Sequence, residues 1–461
     1  MKQQKEKQKP TTPRFADPSR GESGKNPIEQ NPSSLRSSPL HRGASSKIAI
    51  LHDAFLYRGG GERLVTLMAK SLDADLISGF FSEGSFDPRA LGFEGPMIAL
   101  GKPVFAKGIR HLILKWRFFW SARILREYDI VIFSGDCLGA LEHVRKDAEK
   151  IYYCHTPPRY LYDMRKKYIS GLLLLARPIF HAAFIFFAFL YERNLGKFDC
   201  IITNSKNVQK RLKDFTGYDS QIIYPPTDMS RFTPSDRHRE ERSDPEKQKE
   251  IPNSDWIAML RSQWQEPFNH PTIQPSNYFL SFARLSPPKR VDLIVDAFLD
   301  MPDQNLIFCY GKNDPMKDTI LKRIEWKKNI QALESPDDEA LITLIQQATA
   351  TIYIPVDEDF GMSPVESMAC GTPVIWVNEG GLRETVIDGK TGKLLEIQDS
   401  KWWIQNLKQI IKSTKNDEWE SMRDACIARA QEFSLEQFTE QLHKKIYISW
   451  TDGISPYTSE Q

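Results

Sequence analysis

Residues 348–381 read ATATIYIPVDEDFGMSPVESMACGTPVIWVNEGG, and this stretch decides the fold. The apolar run Thr351–Val356 predicts a buried strand. An acidic loop bearing glycine follows, Asp357-Glu358-Asp359-Phe360-Gly361, then a short helix, then a second strand over Val374–Val377. Glu358 and Glu366 stand eight positions apart across the strand-to-helix turn. In α/β folds, ligands collect at the carboxyl ends of parallel strands and near helix N-termini, so both acids are candidate ligand contacts. Ser363-Pro364-Val365-Glu366 also reads as a capping box, with Ser at N-cap, Pro at N1 and Glu at N3. Capping alone leaves the acidic loop and Cys370-Gly371-Thr372-Pro373 without a purpose.

Working outward, short apolar runs alternate with longer mixed segments. The first half has Ile48–His52, Asp75–Phe81, Asp129–Ser134, Ile151–Cys154, Cys200–Thr203 and Gln221–Tyr224. The second has Tyr278–Phe282, Asn305–Tyr310, Thr351–Pro355, Val374–Val377 and Gly392–Leu395. Strands separated by helical segments imply βαβ units and parallel sheets. Residues 233–277 interrupt the series with RHREERSDPEKQKE and an irregular Trp/Pro/Gln stretch, which predicts a surface excursion between two α/β halves. Leu435, Phe438, Leu442 and Ile446 recur at helical spacing and predict a final amphipathic helix.

Composition narrows the function. The 461 residues suit two or three domains, and 62 Lys+Arg against 60 Asp+Glu give a net charge of +2, so no nucleic-acid partner is expected. The first 46 residues are basic and poor in large apolar side chains, which predicts a disordered tail with no secretory signal. Cys137, Cys154, Cys200, Cys309, Cys370 and Cys426 show no C-x-x-C spacing; free thiols in a reducing compartment are expected, with no metal site. Residues 172–191, LLLLARPIFHAAFIFFAFLY, approach the length of a spanning helix, but Arg177, Pro178 and His181 break the run. Three readings stay open there: a buried helix, a membrane-facing helix and a spanning helix. Arg159, Arg165, Lys166, Lys167 and Arg177 supply a basic rim suited to an anionic bilayer.

Three more segments carry candidate chemistry. Ala283-Arg284-Leu285-Ser286-Pro287-Pro288-Lys289-Arg290 follows an expected strand and precedes the helix Val291–Phe298. Lys289 and Arg290 would occupy the first turn, where the helix dipole disfavours cations by about 0.3–1 kcal/mol each. A bound anion would reverse that sign, so Arg284 and Lys289 are candidates to hold a diphosphate. His155 directly follows the strand Ile151–Cys154, which places it at a strand C-terminus. Gly59-Gly60-Gly61-Glu62 opens a helix after the first strand; without G-x-G-x-x-G spacing, it is no nicotinamide site.

The E-x7-E pattern at Glu358 and Glu366, the following Phe360-Gly361 and the C-G-T-P-V-I continuation resemble the donor site of retaining GT-B glycosyltransferases of family 4. The resemblance covers most of residues 47–450 and is most specific over 278–392. The segment His155-Thr156-Pro157-Pro158-Arg159-Tyr160 resembles a subgroup associated with bacterial mannosyl transfer to lipid-linked glycans. The fold implied is GT-B: two Rossmann-like doubly wound domains facing across a cleft. The first would span 47–220, a linker and insert 221–277, the sugar-nucleotide domain 278–432, and 433–461 a helix returning to the first domain, plus a tail. The resemblance implies that Arg284 and Lys289 clamp the diphosphate and that Glu366 binds the ribose. Glu358 and the backbone of Phe360, Gly361 and Met362 would hold the sugar. Gly60 and Gly61 would border the donor phosphate, and His155 would lie near the transferred sugar. The implied donor is a nucleotide sugar, GDP-mannose by subgroup, with no cofactor and no metal. The implied acceptor is a glycan or polyprenyl-linked glycan, met by a cytoplasmic enzyme resting on the membrane. The alternatives are a non-catalytic scaffold of the same fold and a glycan phosphorylase carrying pyridoxal phosphate.

Overall fold

A computed structural model describes residues 46–56, 59–105, 109–171, 173–232, 278–396 and 402–452. The expectations for the basic tail and for 233–277 fall outside the described residues.

The first sheet contains β1 (Ile48–His52), β2 (Asp75–Ser78), β3 (Met97–Ala99), β4 (Ile130–Ser134), β5 (Glu149–Cys154), β6 (Cys200–Thr203) and β7 (Gln221–Ile222). The strand order is β3-β2-β1-β4-β5-β6-β7, with every pairing parallel. The second contains β8 (Phe279–Ser281), β9 (Leu306–Tyr310), β10 (Ile330–Glu334), β11 (Ala350–Tyr353), β12 (Val374–Val377) and β13 (Gly392–Leu395), ordered β10-β9-β8-β11-β12-β13 and again parallel. The chain thus has two doubly wound α/β domains, as the sequence predicts. Two strands escape the sequence reading, β3 and β10. Both are edge strands: β3 has only three residues, and β10 reads Ile-Gln-Ala-Leu-Glu, where Gln331 interrupts the apolar run.

Alternation along the strands builds the core of the first domain. Ala49, Leu51, Val131, Phe133, Tyr152 and Cys154 face one layer. Ile48, Ile50, Ile130, Ile132, Ile151 and Tyr153 face the other. A period of two on these strands fixes the register, because a slip of one residue would move each set into the other layer. The helix Leu435–Asp452 joins this second layer through Phe438, Leu442 and Ile446. Thr439 and His443 bond Ser71, on the helix Gly60–Leu72. All six cysteines are free, and only Cys200 is not fully buried.

The helix Arg177–Leu195 makes the crossover from β5 to β6. Ala188, Tyr191 and Leu195 bury against the sheet, with Phe184 and Phe187 packed beside them. The opposite side is bare: only Ala188, Tyr191 and Leu195 are buried in the helix, and Leu175 just before it is 92% exposed. This excludes a wholly buried helix. By length and composition alone the helix could cross a membrane. Its place as a crossover argues otherwise, since parallel neighbours β5 and β6 need that helix packed back on their sheet. A second exposed apolar helix, Ile109–Ser121, adjoins it where Lys115 Nζ lies 5.4 Å from the centre of the Phe187 ring. That helix exposes Leu112, Trp116, Phe119 and Trp120.

Candidate active site

Each doubly wound sheet opens a crevice where the strand order reverses, and ligands bind there at the strand C-termini. The reversal falls between β1 and β4 in the first sheet and between β8 and β11 in the second. His52, Ser134 and His155 stand at or just after strand ends in the first domain. Arg284, Lys289 and the acidic loop 357–360 stand there in the second.

Lys289 does not begin an α-helix. Pro287–Lys289 form a single 3-10 turn, and Arg290, at φ 53°, breaks the path before the helix Val291–Leu299. The expectation of two cations in a first helical turn is therefore corrected: the Pro287-Pro288 pair favours a separate tight turn. Nor does Lys289 lie in solvent. Its Nζ donates to Glu358 Oε2 at 2.6 Å and to Tyr353 Oη at 2.7 Å. The two charged side chains are 18% and 23% exposed. Arg284 is exposed. Arg290 pairs with Glu379 at 3.0 Å. Tyr353 is buried between the acids; burial, then the charges of Glu358 and Glu366, push its pKa well up.

The capping box is also corrected. The helix Met362–Ala369 starts one residue before Ser363, with Gly361 as N-cap at φ 92° and no side-chain cap. Glu366 turns away from the backbone and accepts from Arg63 Nη1 at 2.8 Å. Burial raises the pKa of Glu366, and Arg63 opposes the rise. Arg63 also lies over the Phe232 ring at 5.4 Å. Its Nε is a buried donor with no hydrogen-bond partner among the described residues, which suits an incoming ligand oxygen. Gly60 faces the same place: a Cβ there would lie 2.8 Å from Met362 Sδ. Around Gly61 no such contact falls within 4 Å. The structure thus brings Gly60, Met362, Glu366 and Arg63 together across the two domains.

The acidic loop is held from both sides. From below, Gly381 N donates to Glu358 O at 2.8 Å. A Cβ on neighbouring Gly380, whose φ is 58°, would sit 2.2 Å from that same oxygen, so only glycine fits. From the first domain, Ser205 Oγ donates to Asp359 O at 2.6 Å and Asn207 Nδ2 to Glu358 O at 3.0 Å. Arg211 pairs with Asp357 at 3.0 Å and with Asp359. Burial raises the pKa of Asp359, and Arg211 opposes it. Glu384 accepts from Lys206 N at 2.7 Å and Asn207 N at 2.8 Å, so a carboxylate of one domain caps a helix of the other. Phe360 buries its ring against Tyr224 and Phe433 at 5.6 and 5.4 Å, anchoring the loop from within. Arg159 joins this cluster through Asp163 at 2.6 Å and Asp357 at 3.0 Å, which removes it from the expected basic rim. Sequence reasoning missed Arg63, Arg211, Asp357, Asp359 and Glu384 as cleft residues. Arg63, two positions after the glycines, and Asp357 and Asp359, in the acidic loop beside Glu358, carried a local signal; Arg211 did not.

His155 is half-buried and bonds Ser134 Oγ through Nε2 at 2.6 Å. Burial, and then nearby His52, push its pKa down to about 4, with Asp53 opposing. The ring is therefore neutral in the fold and takes up a proton on unfolding at mildly acidic pH. With the folded value depressed, the unfolded chain binds more protons between about pH 6.5 and 4. Stability from this group is complete above that window and is lost as pH falls through it, by up to about 3 kcal/mol. Chemical denaturation of wild type and His155→Gln across pH 4–7.5 should show the acid loss in wild type only. Parallel curves would remove the assignment.

Residues 262–433 match the family model described as glycosyl transferases group 1. The alpha-1,3/1,6-mannosyltransferase ALG2 of Homo sapiens is 26% identical over 79% of this chain and 82% of its own. The protein of the same name from Dictyostelium discoideum is 25% identical over 75% and 85%. Among solved structures, Anabaena Alr3699/HepE in complex with UDP and glucose matches with a TM-score of 0.63 at 19% identity, over 87% of this chain and 99% of that one. Sucrose-phosphate synthase from Thermosynechococcus elongatus matches at 0.65 and 16%, over 88% and 100%. The fold is therefore GT-B, and residues 262–433 are similar to the glycosyl transferases group 1. It is a glycosyltransferase.

Proposed function

We propose that the protein transfers mannose, with retention of configuration, from a nucleoside-diphosphate sugar to a lipid-linked glycan at a membrane surface. The observation that carries the reading is the convergence of Lys289, Glu358, Tyr353 and Glu366 at the crevice of the second domain, opposite Gly60 and Arg63 of the first. As the sugar leaves, negative charge grows on the diphosphate. Arg284 and Lys289 would stabilise it, a role that divalent metals fill in other transferases. Lys289 would exchange part of its bond to Glu358 for phosphate, freeing that carboxylate for sugar hydroxyls. Glu366 would accept from the ribose hydroxyls while Arg63 Nε takes a donor oxygen. Mannose rests on the names of the ALG2 relatives, and GDP on the resemblance of His155–Tyr160 to the mannosyl-transferring subgroup. Thermal shifts across a panel of sugar nucleotides test the donor, because a specific ligand stabilises the native state by mass action. The largest shift should come from GDP-mannose; a larger shift from a UDP-sugar would overturn the choice.

The acceptor rests on the exposed apolar surface of the helices Ile109–Ser121 and Arg177–Leu195. Trp116 is 65% exposed, and Lys166 and Lys167 are exposed nearby. Apolar burial plus basic residues gives reversible attachment that strengthens on anionic lipid, with about 1 kcal/mol from each nearby cation. Trp116→Ser with Leu175→Ser, and separately Lys166→Gln with Lys167→Gln, should each release the protein from anionic vesicles at an unchanged Tm. Sedimentation that ignores all four substitutions would remove the surface, and release by detergent alone would point to a spanning helix.

A further inference from the structure

We propose that Asp53, His52 and Ser134 are positioning residues that fix the tautomer of His155 for sugar transfer. The proposal rests on the reading of His155 as a group facing the transferred sugar.

His52, Ser134 and His155 form one hydrogen-bonded line across the C-terminal edge of three adjacent strands, with the Asp53 carboxylate beside its first ring. His52 ends β1, Ser134 ends β4 opposite it in register, and His155 directly follows β5. Asp53 Oδ1 lies 3.2 Å from His52 Nε2. His52 Nδ1 lies 3.2 Å from Ser134 Oγ, and Ser134 Oγ lies 2.6 Å from His155 Nε2. Ser134 is fully buried and His52 is 6% exposed, so neither can meet a sugar. That burial also excludes Ser134 as a nucleophile, despite its Ser-His-Asp company. The backbone is shaped around the carboxylate: Gly135 sits at φ 88°, and a Cβ there would fall 2.9 Å from Asp53 Cγ. Ala54 N donates to Asp53 Oδ1 at 2.9 Å and holds it in place.

With one proton on each imidazole, counting along the line gives its direction. A carboxylate only accepts, so His52 presents Nε2–H to Asp53. With one proton on the ring, His52 then has a lone pair at Nδ1. Ser134 has one proton, and it goes to that lone pair. The Ser134 oxygen is left to accept, which requires Nε2–H on His155. His155 Nδ1 then carries the lone pair and accepts a hydroxyl proton. Without Ser134, the two tautomers of His155 lose this distinction, since the partner of a ring nitrogen decides which one is protonated.

The test is ring nitrogen NMR of the histidine-labelled full chain, joined to kinetics. Wild-type His155 should show a proton on Nε2 and an unprotonated acceptor at Nδ1; a proton on Nδ1 instead would overturn the proposal without any variant. Ser134→Ala should average the two nitrogen shifts and lower kcat roughly tenfold or more at an unchanged donor KM. Ser134→Thr should restore both. Unchanged shifts and kcat in Ser134→Ala, together with lost activity in His155→Ala, would sink the relay and leave the role of His155 standing. Normal transfer by His155→Ala would sink that role itself.

Discussion

Lys289→Ala and Arg284→Ala are each expected to lower turnover by roughly 10²–10³, the scale for removing one preorganised electrostatic group. The structure separates the two variants. Arg284 is exposed, so its loss should leave the melting temperature unchanged, and any fall in rate belongs to the reaction. Lys289 is held by Glu358 and Tyr353. Its loss strands a partly buried carboxylate and should also cost about 1–3 kcal/mol of stability. Single-turnover rates with saturating donor, set beside denaturation curves, distinguish these effects. Wild-type turnover in both variants would remove the diphosphate assignment, whatever their stability.

How much of this was legible in the sequence depends on where each signal lies. Both sheets were legible because their central strands are buried on two faces and read as continuous apolar runs. β3 and β10 were not, because one is only three residues long and the other is interrupted by Gln331. The positions of Glu358, Lys289 and His155 at strand ends followed from local order alone. Their partners did not. Arg63 and Glu366 lie 303 residues apart, and Arg211 and Asp359 lie 148 apart. No local periodicity joins residues at such separations, and the domains must close before they meet. The misread helix start at Ser363 has a different cause. A capping box is a statement about side chains, and glycine at position 361 offers a backbone alternative that needs none. The apolar run 172–191 was ambiguous because it serves both readings: one face packs the sheet while the other lies bare.

Glu366→Gln is the second large effect, and it decides between two roles for this carboxylate. The structure already gives Glu366 one role as the partner of Arg63 across the domains. Glutamine keeps the volume and an acceptor oxygen for Arg63, so that contact should survive and the melting temperature should stay close to wild type. If the ionised carboxylate also holds the ribose, donor affinity should weaken by about 1.5–3 kcal/mol, or roughly ten- to a hundredfold in Kd. Titration calorimetry with the donor nucleotide reads this directly. The pH dependence supplies a second arm. Burial raises the pKa of Glu366 above the usual carboxylate value. Because the ionised form binds, wild-type affinity should fall as pH drops through that raised value. Glutamine has no proton to gain, so the variant should lack this component. A Kd that is unchanged by the substitution, with the same pH profile in both proteins, would leave Glu366 only its pairing with Arg63. The ribose contact would then have to be sought elsewhere in the crevice.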